Sequence, residues 1–146
     1  MIAAALLLVA SPSRIAATPA AATCARPSGV QILDFDAAKY PNIRHHVRAA
    51  IRRGWPRILV VHRAGDEERR DRRLADIPTK PGYDRDEYPP SVGRGRGAGL
   101  TEGQNPRGWK ADVRYVPSSE NRSQGASMGN QLRPFCDGTR FRYAFN

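Results

Sequence analysis

Lysine is nearly missing from a strongly basic chain. Its 146 residues carry 24 lysines and arginines against 14 acids, a formal net charge of +10, yet only Lys39, Lys80 and Lys110 are lysines. Arginine supplies the rest. Its planar fork grips phosphate oxygens two at a time, where lysine acts as a point charge. A polyanionic partner follows, nucleic acid being the commonest, although a GC-rich genome gives the same bias in any protein. Cysteine is scarce too. Cys24 and Cys136 have no second cysteine or histidine close by, which argues against a zinc site. The even count permits one disulfide in an oxidising compartment, tying the start of the mature chain to its last strand, or else two unpaired thiols.

A membrane-spanning run is also missing. Residues 1–10, MIAAALLLVA, are apolar but fall short of the about 20 residues that a bilayer requires, so no stable membrane association is expected. Small residues follow as far as Thr23, and residues 1–23 read as a secretory signal peptide without its basic start. Ala-Ala-Thr before Cys24 lacks the large aliphatic residue of a lipoprotein site. The expectation is an exported protein whose residues 24–146 form one domain, within the about 100–200 residues that a single core holds.

Along that domain, "QILDF" (31–35) reads as a strand. In "YPNIRHHVRAAIRRG", Ile43, Val47, Ala50 and Ile51 recur at helical spacing, arginines take the opposite face and Gly54 closes the end. "RILVVHR" (57–63) reads as a buried strand and "GDEERRDRRL" as a helix, acids first and arginines last. From Tyr83 the order becomes strand, long Gly- and Arg-rich loop (91–110), strand (112–116), helix and strand. Ser118 and Ser119 stand as helix caps, and Phe141, Tyr143 and Phe145 lie on one face of the last strand. This predicts a small α+β domain, a short antiparallel sheet packed with helices.

Three places carry candidate chemistry. "GYDRDEYPP" (82–90) sets Asp84, Asp86 and Glu87 around Arg85 and ends at two prolines. In a strand Asp84 and Asp86 share one side, Arg85 and Glu87 the other. Carboxylates beside an arginine stay ionised and suit either proton transfer or a structural ion-pair patch. Asn121, at the start of a helix, offers an amide oxygen to a cation or a cap to the helix, and Gln131 further along offers a second amide or simply faces solvent. His45, His46 and His62 lie away from these motifs in sequence and read as packing or surface residues.

Taken together, "KPGYDRDEYP", "ADVRYV", "ENRSQGASMGNQL" and "DGTRF", in that order, resemble the sporulation-type secreted deoxyribonucleases, the NucA/NucB family, over about residues 31–145. The resemblance implies a ββα-metal nuclease core, in which two strands and a helix hold one catalytic Mg2+ or Mn2+ ion. It implies Asp86 as general base with Glu87 as the close second, and Asn121, with Gln131 less firmly, as metal ligands. Arg85 and Arg122 would then grip the scissile phosphate, while Arg94, Arg96 and Arg107 hold the DNA backbone. The family carries cysteines where this chain reads "RILVVHR" and "SVGRGRG"; neither stretch has one, which leaves Cys24–Cys136 as the available staple. The implied product is a secreted, nonspecific, monomeric endonuclease acting on DNA, with an inhibitor protein as a further partner. The alternative is an arginine-rich, non-catalytic binder of DNA or acidic polysaccharide.

Overall fold

A computed structural model describes residues 23–95, 105 and 107–146. The expected export signal, as far as residue 22, and Arg96 fall outside the described residues. The elements are β1 (Gln31–Phe35), α1 (Pro41–Arg52), β2 (Leu59–Val61), α2 (Asp66–Leu74), β3 (Tyr83–Tyr88), β4 (Gly93–Gly95), β5 (Asp112–Pro117), α3 (Ser118–Leu132) and β6 (Arg140–Phe145). The mixed α+β class is as expected. One sheet runs β1-β6-β2-β4, with β1 and β6 parallel and the other pairs antiparallel; β3 and β5 form a separate antiparallel pair.

The apolar periods of the sequence build the core. Ile43, Val47 and Ala50 of α1 are buried, and Phe141 of β6 is fully covered with Tyr143 and Phe145 packed alongside. Gly54, just past α1, takes φ 97°, a left-handed turn that glycine adopts without penalty. Cys24 and Cys136 are joined in a disulfide, beside the parallel bridge between Ala25 and Phe135. Closing so long a segment removes about 4–5 kcal/mol of unfolded-chain entropy.

Three local readings differ from the sequence pattern. The stretch 91–110 opens with a strand, β4, written Gly-Arg-Gly. Glycine is required there by close approach: a Cβ on Gly93 would lie 3.0 Å from the Phe141 ring, and one on Gly95 would collide with Pro56. Helix α2 has only Leu74 as an apolar residue, so Arg69 and Arg73 form its buried face. Arg69 donates to the carbonyls of Ser91, Ala64 and His62, and Arg73 to those of Gly108 and Pro89 at 2.8 Å each. A buried charge is tolerated when its donors are satisfied in this way. Part of the arginine excess therefore ties loops together inside the molecule and faces no partner. Finally, α3 starts from Pro117 with no side-chain cap. The Ser118 hydroxyl donates instead to the Asp84 carboxylate at 2.8 Å, a charged acceptor that outcompetes a backbone amide.

Candidate active-site cleft

Pairing β3 with β5 and running α3 directly out of β5 brings β3 and α3 to one cleft of about 120 Å3. Asp86, Glu87 and Arg85 of β3 line it with Asn121 and Gln124 of α3 and Arg70 of α2. The carboxylate at 86 and the amide at 121, distant in sequence, thus share one concavity.

Asp86 is held from behind. Its Oδ2 lies 2.6 Å from Nδ1 of His46, which is 1% exposed. Nε2 of the same ring lies 3.0 Å from Oδ1 of Asp112, whose Oδ2 accepts from Arg53 Nε at 2.9 Å. Burial pushes the Asp86 carboxyl above the usual carboxylate range; His46 pulls it back in part, and the charge of Glu120 adds to the rise. Glu87 is raised for the same first reason, burial, with Arg73 opposing from 3.4 Å. Glu120 accepts from the Asn42 and Ile43 amides at 2.8 and 2.9 Å, the end of α1 where the helix dipole favours a negative charge.

Asp84, two residues away, lives differently. Its carboxylate accepts from Arg122 Nε at 3.0 Å and Nη2 at 3.2 Å. Arg122 first, and Ser118 after it, hold its pKa below the usual range. That fork is therefore turned on Asp84, and Arg122, expected to grip phosphate, does not line the cleft. Arg85 lines the cleft but donates from Nη1 to the carbonyls of Ile77 at 2.6 Å and Leu74 at 3.1 Å, which fastens the end of α2.

Gln131 is not brought to the cleft either. Ten residues beyond Asn121 it sits about 15 Å further along the helix, where its amide pairs with the backbone of Asp34 at 2.9 and 3.0 Å. The amide that does reach the cleft is Gln124, one turn from Asn121. It is buried, and its Nε2 has no hydrogen-bond partner among the described residues. Arg94 lies on β4 with Nη1 3.2 Å from His62 Nδ1, outside the cleft lining. Sequence reasoning missed His46, Asp112, Gln124 and Arg70. His46 alone left a signal: it falls in the buried stripe of α1 between Ile43 and Ala50, where an imidazole needs a partner for each nitrogen.

No protein-family model matches the sequence. Over 110 residues the chain is 34% identical to the DNA-entry nuclease of Bacillus subtilis (strain 168), covering 75% of this chain and 67% of that protein. The chain belongs to the NucA-type nuclease family.

In this NucA-type chain no three His, Cys, Asp or Glu side chains converge as a metal site among the described residues. A cage of charged ligands is thereby absent from that part of the molecule. A hard cation that keeps most of its waters needs few protein oxygens, and the cleft offers the amides of Asn121 and Gln124 beside two carboxylates. The Gln124 amide is the feature that fits: its buried Nε2 makes no full hydrogen bond among the described residues, only a weaker approach to the Tyr143 hydroxyl, and a half-turn of the group directs its oxygen to the same place. Elsewhere on the NucA-type fold, the guanidiniums of Arg72 and Arg107 both stack on the ring of Trp109, at 4.0 and 4.6 Å from its centroid. Such stacking fixes two otherwise mobile cations. Among the described residues no helix is long and apolar enough to cross a membrane.

Proposed function

We propose that the protein is a secreted, metal-dependent endodeoxyribonuclease built on a ββα-metal core, with β3, β5 and α3 as its two strands and helix. The observation that carries this reading is the convergence of Asp86, Glu87 and Asn121 on one cleft, in a chain whose relative is named a DNA-entry nuclease.

Asp86 is the general base. His46 claims one carboxylate oxygen, leaving the other to take a proton from the water that attacks phosphorus in line. Its raised pKa brings a carboxylate closer to neutral pH, where general-base efficiency is greatest. Glu87, facing the buried Arg73, serves better as that arginine's counter-ion than as a second base. Asn121 and Gln124 would hold Mg2+ or Mn2+, which when bound supplies charge stabilisation to the phosphoryl and leaving oxygens. Arg70 brings positive charge to the cleft wall, and Arg72 and Arg107 grip the backbone outside it. Phosphate contacts carry no base code, so cutting is nonspecific, and affinity falls steeply with salt. The enzyme acts as a monomer outside the cell.

Plasmid digestion tests this. Purified protein should convert supercoiled DNA to nicked and linear forms with Mg2+ or Mn2+ and should stop with EDTA. Cutting that survives EDTA would remove the metal from the mechanism. DNA binding without cutting under any divalent ion would leave a non-catalytic arginine-rich binder.

A further inference from the structure

We propose that His46, backed by Asp112 and Arg53, is a positioning residue that clamps one oxygen of Asp86 so that the other is presented to the cleft. The inference rests on the reading of Asp86 as the base.

Four side chains from three elements form one chain of contacts: Asp86 of β3, His46 of α1, Asp112 of β5, and Arg53 at the end of α1. Asp112 is fixed by Arg53 on one oxygen, so its other oxygen is an acceptor and His46 Nε2 is the donor to it. The remaining nitrogen, Nδ1, then shares a single proton with Asp86 Oδ2 across 2.6 Å. Wherever that proton sits, the ring and the carboxylate are held together. At 1% exposure and outside the cleft lining, His46 does not touch substrate and acts only through Asp86. Other charges surround the pair. Glu120 comes from α3, Glu87 from β3 with Arg73 of α2 behind it, and Arg114 lies 4.0 Å from Asp112. Tyr143 of β6 also feels the Asp86 charge. The Glu87 backbone amide also bonds the Asp86 carboxylate, and among the described contacts His46 is the one side chain within hydrogen-bond distance of its Oδ2.

Two substitutions separate this role from a packing role. Asparagine at 46 places its amide near the position of Nδ1 and can donate to Asp86; glutamine places its amide near Nε2 and serves Asp112 instead. Single-turnover and steady-state cleavage of plasmid with Mg2+ should show His46→Gln losing about 100-fold in kcat, the scale of a small misplacement of a catalytic group. His46→Asn should recover about tenfold of that loss, with KM within about twofold for both. Equal losses in the two variants, a better Gln than Asn, or a change confined to KM would overturn the positioning role while leaving the nuclease reading intact. Asp86→Asn is the control for that reading: if it cuts at the full rate, the base assignment falls and the role of His46 falls with it.

Discussion

Asp84 and Asp86 sit two residues apart on the same face of β3, in the same short motif, and end in opposite electrostatic conditions. At the outer end, Asp84 meets Arg122 and Ser118 and is held below the usual carboxylate range. At the inner end, Asp86 is covered on all sides but the cleft, meets an imidazole and is pushed above that range. One is an anion that ties β3 to the first turn of α3; the other is the proposed proton acceptor. Residue type and spacing do not distinguish them. The surroundings do.

The sharpest way to break the comparison is to neutralise each aspartate in turn. Asp86→Asn should lower kcat on plasmid DNA by about a thousandfold, whereas Asp84→Asn should stay within about threefold, measured side by side under saturating Mg2+. A comparable loss in both would erase the difference drawn between the two ends of β3. Next in size is Glu87→Gln, which strands the buried Arg73 guanidinium. Losing one partner of a buried pair costs about 3 kcal/mol, so thermal unfolding should drop by about 10 °C. Residual activity in the surviving folded fraction would separate Glu87 from a base role.

The two aspartates should also pull stability in opposite directions with pH. For Asp86, whose folded pKa is raised, the contribution to stability is fully present below the ordinary aspartate value and is lost as pH rises through the raised value. At neutral pH the ionised, buried group therefore weighs against folding. Asp86→Asn, which sheds the buried charge yet can still hydrogen-bond His46, should melt no lower than the parent at pH 7 while losing activity. Catalysis needs the ionised form, so kcat of the parent should fall as pH drops through the same raised value. For Asp84, whose folded pKa is lowered, stability is present above the ordinary value and is lost as pH falls below it toward the lowered one. Asp84→Asn should thus cost stability at pH 7, and that cost should vanish in acid. Melting curves of the two variants from pH 3 to 8 check both signs. The smallest effect expected is at the rim. Arg72→Ala or Arg107→Ala should raise KM a few-fold and reduce the salt slope of DNA binding by about one each, leaving kcat alone.

Most of the fold was legible where apolar periods were strong, as in α1, β1 and β6. The α2 helix was legible from its acid-to-base gradient, although its buried face is arginine and no hydrophobicity pattern announces that. β4 was illegible because a Gly-Arg-Gly strand has neither propensity nor alternation; its glycines are selected by the approach of Phe141 and Pro56. Of the residues that line the cleft, Asp86, Glu87 and Asn121 were named beforehand from the family resemblance. Gln131 was placed by proximity in sequence, and helical rise carries it off the cleft to Asp34. Arg85 and Arg122 looked free to meet phosphate because the carbonyls and the carboxylate they face come from tertiary packing. His46 was read as packing, which its burial supports, but its two carboxylate partners arrive from β3 and β5, far along the chain.

The most direct test is anomalous diffraction from crystals soaked in Mn2+. One peak is expected in the cleft, at the amides of Asn121 and Gln124. A peak at the Asp84–Arg122 end of β3, with none in the cleft, would contradict it.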